Sequence, residues 1–312
     1  MNITFRQLRL FLALAETGSV SGAARAMHVT QPTASMQLRE VTEAVGLALY
    51  EVIGRRVHLT DAGRELAATA RAIVDTWEAF GQRINAMHGL TRGRLRVAVV
   101  STAQYFVPRL LGRFCARYPD IEIALEVLNR DGVVQRLRDN RDDLYVMSMP
   151  PPDMDLDDRV FLSNPLVLIA WQGHPLAKRR GIALADLGSE RFVLRERGSG
   201  TRLATDRFFD AQGFEAPTRL ELGSNEAIKE AVAGRLGVAV LSRHALTSAE
   251  LERDVCILDV AGLPIPSQWH VVHPRARQLS PIAQVFREHL FAEAGDGTAL
   301  APGDRPPLQS PA

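Results

Sequence analysis

From Leu66 to Met87 the apolar residues Leu66, Ala70, Ile73, Trp77, Phe80, Ile84 and Met87 follow one another at alternating spacings of four and three. This is a heptad seam, the repeat that keeps one stripe of a helix facing a partner helix. Arg64, Glu65, Arg71, Asp75, Glu78 and Arg83 lie between the seam positions as a solvated face. Thr60 is placed to cap the helix with Asp61 in its first turn, and Gly89, Thr91 and Gly93 break the pattern. The spacing predicts a helix over roughly residues 60–88, about 40 Å of rod. An amphipathic helix can also pack on its own domain. A single seam this long, with differently patterned sequence on either side, favours a dimerising linker whose contacts are Leu66, Ala70, Ile73, Trp77, Phe80 and Ile84.

A chain of 312 residues has room for two or three domains. No run of about 18 apolar residues is present, so no membrane span is expected. The N-terminal stretch MNITFRQLRLFLALAETGS is interrupted by Arg6, Arg9 and Glu16 and does not read as a secretory signal. Cys115 and Cys256 fit no metal or redox spacing and read as inert buried thiols in a reducing cytoplasm. With a net charge of +1, any affinity for nucleic acid must come from local charge.

The first sixty residues supply such local charge: six arginines against four glutamates. FRQLRLFLALAE (5–16) has apolar residues at helical spacing, Gly18 ends it, and SGAARAMH follows as a short alanine-rich helix with Ser19 or Ser21 as its cap. Thr30 then caps Gln31–Glu40, with Pro32 in the first turn, where its missing N–H costs nothing. Two short helices around a tight turn suit a helix-turn-helix, whose second helix enters the major groove. Gln31, Thr33, Ser35 and Arg39 project as polar groups, while Met36 and Leu38 are expected to turn toward the core. Gln and Arg match adenine and guanine edges, and Ser and Thr bind phosphate. Gly54-Arg55-Arg56-Val57-His58 reads as a two-stranded wing tipped with arginines that touch the backbone.

The stretch from Phe5 to Leu66, FRQLRLFLALAETGSVSGAARAMHVTQPTASMQLREVTEAVGLALYEVIGRRVHLTDAGREL, resembles the winged helix-turn-helix of LysR-type transcriptional regulators. The resemblance implies that Gln31–Arg39 is the recognition helix, Arg55–His58 the wing, and the heptad rod the dimerisation linker. DNA-binding residues are then expected at Thr30, Gln31, Pro32, Thr33, Ser35, Arg39, Arg55 and Arg56. Thr33 and Ala34 stand where the family usually has alanine and valine, and Thr42 where glutamate is common, departures that bear on operator preference.

Beyond Arg94 the period changes. RLRVAVV, IEIALEVL and Asp143–Met147 read as strands separated by helices at Gln104–Arg117 and Asp131–Asn140. The pattern restarts at LVLIAW and continues through FVLRE, helix 201–212, RLELG, helix 225–235, GVAVLS, SQWHVVH and a closing helix 280–294. Such alternation implies a mainly parallel α/β fold in two lobes, with crossings near 163 and 267 and a ligand cleft at the strand ends. The domain reading is 1–60 for the DNA-binding domain, 61–92 for linker helix and hinge, and 93–294 for an effector domain. One lobe takes 93–163 and 268–294, the other 164–267, and the Gly-, Pro- and Ala-rich tail 295–312 is expected to be disordered. The fold class is thus α/β multidomain, with a C-terminal two-lobed effector domain like that of periplasmic binding proteins.

Ser101-Thr102, Gly198–Arg202 and Gly223-Ser224-Asn225 each follow a strand and open a helix, so their hydroxyls and N–H groups face any anion in the cleft. Arg195 and Arg202 add charge, Lys229 lies one turn into the third helix, and Asn129-Arg130 is a fourth candidate. Singly, each also reads as an ordinary helix start. Across residues 2–294, STAQYFVPRLLGRF, RERGSGTR, ELGSNEAIKEAV and QWHVVH make the chain similar to the LysR subgroup that regulates carbon-fixation (RubisCO and Calvin-cycle) operons. That resemblance implies a homotetramer that binds operator DNA, with RNA polymerase a candidate further partner. It also implies no cofactor, but a small effector such as a phosphorylated intermediate or a nucleotide. By position, Ser101, Thr102, Gln104, Asn129, Arg195, Ser199, Gly200, Thr201 and Asn225 fall in the effector cleft. Gln104 and Met149 stand where the subgroup tends to carry cations, which weakens the case for a highly phosphorylated sugar. The alternatives are a LysR-type regulator of another operon with a non-phosphorylated effector, and a binding protein without DNA function.

Catalysis finds no support: Arg197 and Glu196 leave no nucleophile elbow around Ser199, and no pair of catalytic carboxylates stands out. His270 and His273, three apart on a strand, face opposite sides and make a poor metal pair.

Overall fold

Helix α1 (Phe5–Thr17) begins at a capping box in which the Thr4 hydroxyl accepts from the Gln7 N–H and the Gln7 amide accepts from the Thr4 N–H. It ends at Gly18, whose φ of +63° is left-handed. Helix α2 (Val20–Ala26) is capped by Ser19, and α3 (Gln31–Val45) by Thr30 with Pro32 in the first turn. Strands β1 (Tyr50–Ile53) and β2 (Arg56–Leu59) pair antiparallel as the wing. Helix α4 (Asp61–Met87) starts where the Thr60 hydroxyl accepts from the Gly63 N–H. Leu10, Phe11 and Leu14 of α1 close on Ala23 and Ala24, Ala34, Leu38 and Val41, and Leu49 as one core. The computed structural model describes residues 2–54, 56–87 and 92–295. Arg55 and the tail beyond 295, both singled out in the sequence, lie outside the described residues. The chain divides into two units, Met1–Leu90 with Asp139–Arg141 and Thr91–Arg138 with Asp142–Ala312.

The second unit runs β3 (Gly93–Val100), a 3-10 turn at Ser101–Tyr105, α5 (Val107–Arg117), β4 (Ile121–Leu128), α6 (Arg130–Arg138), β5 (Leu144–Met147) and β6 (Leu156–Ser163). It continues with β7 (Leu166–Trp171), β8 (Phe192–Arg195), α7 (Gly200–Ala211), β9 (Thr218–Leu222), α8 (Asn225–Ala233), β10 (Ala239–Ser242), α9 (Ser248–Arg253), β11 (Val255–Ile257), β12 (Gln268–Pro274) and α10 (Pro281–Gly295). One lobe is built on the five-stranded sheet β4-β3-β5-β12-β6. The other carries β10-β7-β11 and β8-β9, tied by a bridge between Phe192 and Val238. The two crossings run side by side, the Asn164 N–H donating to the Ser267 carbonyl at 2.8 Å.

The sheets are mixed rather than mainly parallel. β3 runs parallel to β4 and β5, but β12 pairs antiparallel with both β5 and β6, and β7 antiparallel with β10 and β11. Chain path explains this: β12 re-enters the first lobe from the second, by the crossing opposite to the one that left it. The unexpected β6 is an edge strand that buries only Leu156 and Phe161 and exposes Asp158, Arg159 and Val160 in succession, so it carries no alternating apolar signal. The helix expected at Gln104–Arg117 is instead a 3-10 turn followed, after Phe106, by α5, which buries Val107, Leu110, Leu111 and Phe114. Both cysteines are half-buried rather than buried, and burial pushes the Cys256 thiol up. Among the described residues no helix is long and apolar enough to cross a membrane.

Candidate functional site

On α3 the buried stripe is Ala34, Leu38 and Val41, spaced as one helical face. Gln31, Pro32, Ser35 and Arg39 are exposed on the opposite side, with Thr30 and Thr33 linked by their hydroxyls at 2.8 Å at the helix start. Met36, expected to turn inward, is 47% exposed beside them, because the buried positions fall two residues before and after it. The Arg39–Glu43 pair is long (3.7 Å) and open to water, an attraction too weak to hold Arg39 from a phosphate. Arg56 is exposed at the wing. An open hollow of 580 Å³ lies between α3 and the wing, bordered by Pro32, Ser35, Met36, Arg39, Thr42 and Tyr50.

The heptad seam divides in two. Ala70 is fully buried against Leu8 and Leu12 of α1, and Leu66 is half-buried in the same cluster. Ala70 therefore has no surface left for a second chain, which corrects its place among the dimer contacts. Ile73, Trp77, Phe80 and Ile84 remain exposed, Trp77 at 63%, with its ring 6.0 Å from Phe5 and 5.7 Å from Phe80. Four large apolar side chains in water along one stripe is the signature of an interface.

In the second unit Arg195 is the hub. Only 2% exposed, it leaves the end of β8, pairs twice with Glu196 (2.8 and 3.0 Å), donates to Asn225 Oδ1 at the start of α8, and reaches across the lobes to Ser101 Oγ at 3.2 Å. Asn225, equally buried, spends its oxygen on Arg195 and leaves Nδ2 without a hydrogen bond of normal geometry, close to the Tyr105 hydroxyl. That orphan donor is costly unless something accepts from it. Ser199 makes no capping hydrogen bond to the first turn of α7, so those amides keep their polarity at the same place. Ser199 and Thr201 are buried, and Gly200 is packed so close that a Cβ would meet Ser148 Oγ at 2.5 Å. Gly198, at φ +91°, accepts from the Asp131 N–H of the facing lobe at 3.1 Å.

Several predicted residues are brought near this centre but used differently. Thr102 Oγ1 accepts from Trp269 Nε1 at 3.1 Å, and Asn129 Oδ1 caps α6 by accepting from the Gly132 N–H. Arg202 adds no charge to the cleft, since it binds Asp206, Glu221 and the Arg195 carbonyl. Arg130 donates to the carbonyl of Met149, whose φ is +53°. Gln104 is exposed. Sequence reasoning missed Tyr105, whose hydroxyl donates to Glu226 across the lobes at 2.7 Å, and the carboxylates Glu226 (2.6 Å) and Glu250 (2.7 Å) that hold the ammonium of the anticipated Lys229. Burial lowers the Lys229 pKa, but its two carboxylate partners outweigh this and raise it overall. Glu226 directly follows Asn225, the one local hint that was available.

An open cavity of 820 Å³ lies elsewhere, at the crossings, between Met149, Arg207, Phe208, Ile265 and His270. His270 is tied to Asp158 at 2.6 Å and His273 to the Pro274 carbonyl, so the two histidines share no ligand. Among the described residues no group of three His, Cys, Asp or Glu is placed to hold a metal.

Residues 5–64 match the model of the bacterial regulatory helix-turn-helix protein, lysR family, and residues 88–295 that of the LysR substrate binding domain. The chain is 42% identical over 291 residues to the HTH-type transcriptional activator CmpR of Synechocystis, covering 93% of this chain and 96% of that one. It is 43% identical over 295 residues to the RuBisCO operon transcriptional regulator of Allochromatium vinosum, covering 94% and 97%. Its second unit resembles the regulatory domain of CcmR from Synechocystis, solved in complex with 2-PG (2-phosphoglycolate), with a TM-score of 0.63 and 47% identity over 65% of this chain and 98% of that one.

Proposed function

The chain belongs to the LysR family of DNA-binding transcriptional regulators, which are not enzymes, and from that premise we propose that it controls carbon-fixation genes in response to a small anionic metabolite. Regulators of this family bind operator DNA, assemble into oligomers and bind small-molecule effectors. The relatives that share most of its length include RuBisCO operon transcriptional regulators and the transcriptional activator CmpR. The single observation that carries the effector assignment is the orphaned Asn225 Nδ2 beside buried Arg195.

An anion seated there accepts from Asn225 Nδ2, from Ser101 and from the first-turn amides of α7, under the positive end of that helix. Arg195 already balances Glu196, so the site presents oriented donors rather than a large excess of charge. Such a site suits a compact monophosphate or carboxylate, of the class of the 2-phosphoglycolate bound to the CcmR domain. Exposed Gln104 and apolar Met149, where the subgroup tends to carry cations, argue against larger, multiply phosphorylated sugars. Because Ser101 and Arg195 belong to different lobes, the ligand biases the angle between them.

Footprinting on the DNA upstream of its own gene and of the host's RuBisCO genes, with and without 2-phosphoglycolate, tests the reading. A protected site whose extent changes with the metabolite supports it. Protection of neither region removes the carbon-fixation assignment.

A further inference from the structure

Met36 stands on the reading face of α3 with nothing of its own fold to cover it. It belongs to neither apolar cluster of the first unit, and it is the single large hydrophobic residue of α3 that is exposed. Its neighbours on that face are Pro32 one turn before, Ser35 beside it, and Arg39 and Glu40 one turn after. Met36 also borders the open hollow between α3 and the wing, together with Ser35, Arg39 and Tyr50.

In a helix-turn-helix the N-terminal half of this helix meets base edges. Gln31, Ser35 and Arg39 can satisfy the hydrogen-bonding groups found there, but a thioether has no donor and is only a weak acceptor. The major groove presents one apolar group, the C5 methyl of thymine. Phosphates are excluded as partners of Met36 by their charge. An unbranched, polarisable side chain can follow a methyl group without demanding strict geometry.

We propose that Met36 reads a thymine in each operator half-site through its C5 methyl, and so sets base preference beside the hydrogen-bonding Gln31. This rests on the family's DNA-binding role and adds a residue that the polar pattern of the helix does not reveal.

The test uses the full chain and the footprinted operator, with each thymine replaced in turn by deoxyuridine, which lacks only the methyl. Wild type is expected to lose about fourfold in affinity at one thymine per half-site, the effect of one methyl group leaving an apolar contact. Met36→Ala should bind the natural operator more weakly and be indifferent to that same replacement, while Met36→Leu should keep the sensitivity. Because the side chain points outward, Met36→Ala should melt with wild type, so a binding change is not a folding change. Equal deoxyuridine penalties in wild type and Met36→Ala at every thymine would overturn the proposal. Uniform weakening of Met36→Ala on operator and unrelated DNA alike would also overturn it, by assigning Met36 to the sugar–phosphate backbone. The affinity of wild type for its unmodified operator tests the regulator reading separately.

Discussion

The hydroxyl of Tyr105 donates to the carboxylate of Glu226 at 2.7 Å, tying the 3-10 turn after β3 in one lobe to the first turn of α8 in the other. Lys229 extends this link: its Nζ sits 5.7 Å from the Tyr105 ring and bonds both Glu226 and Glu250. A neutral donor on a charged acceptor is worth about 1.5–3 kcal/mol when buried, and less at this half-exposed site. Tyr105→Phe keeps the ring and removes the link, so the thermal midpoint at neutral pH should fall by roughly 2–4 °C for a loss of about 1 kcal/mol. Differential scanning calorimetry reads it directly.

The same tyrosine sets a pH dependence. Burial, then the bond to Glu226, raises its pKa above the ordinary 10.0. The folded state therefore holds this proton more tightly than the unfolded state does. Its contribution is complete below pH 10 and is lost as pH rises through the raised value. Wild-type stability should decline in this alkaline range, and Tyr105→Phe should decline less steeply. Some decline remains in the variant, because burial also raises Tyr145. Equal alkaline slopes in the two proteins would show that the phenol is not held as described.

Close approach of the lobes rests on two glycines. A Cβ on Gly198 would meet the Asp131 carboxylate at 2.8 Å at a φ of +91°, and one on Gly200 would meet Ser148 Oγ at 2.5 Å. Gly198→Ala should cost about 1–3 kcal/mol through backbone strain alone. Gly200→Ala carries no such strain and should mainly push the lobes apart, visible as a larger radius in small-angle scattering of the effector-free protein. An unchanged radius would mean that Ser148 simply turns away.

On the rod, Trp77→Asp and Ala70→Asp should behave oppositely. Trp77 is already solvated in the single chain, so its substitution leaves folding intact and lowers the mass by light scattering. Ala70 is sealed against Leu8 and Leu12, so an aspartate there buries an unpaired charge and unfolds the first unit. Circular dichroism and light scattering together separate the two outcomes.

How much of this was legible in the sequence differs from site to site, for physical reasons. The cap residues Thr30 and Thr60 and the turn at Gly18 were readable because they depend on near neighbours only. The heptad seam was readable too, but not its division. The same spacing places Ala70 and Trp77 on one stripe, and only the position of α1 decides which is covered. Ser101, Ser199 and Asn225 could be picked out because each opens a turn or helix after a strand. That Arg195 would gather Asn225, thirty residues on, and Ser101, ninety-four residues back, is a product of the two-lobed path. Local pattern carries no trace of it. Tyr105 was hidden for a related reason, sitting in an expected helix that proved to be a 3-10 turn.

Arg56→Ala and Gln31→Ala should divide DNA affinity into its two parts. Arg56 is exposed on β2, and its loss should weaken all DNA about equally and reduce the salt slope by about one. Gln31→Ala should cost about 1–3 kcal/mol on the operator and little on unrelated DNA. Proportional losses in both variants would reverse these roles.

Calorimetric titration of 2-phosphoglycolate into wild type and Asn225→Asp tests the cleft most directly. The substitution keeps an oxygen for Arg195 but replaces the orphaned donor with an acceptor bearing negative charge. Wild type should bind with a measurable enthalpy, and Asn225→Asp should bind at least tenfold more weakly while retaining the wild-type fold by circular dichroism. Equal affinity in the two proteins would place the ligand away from Arg195 and Asn225 and contradict the account.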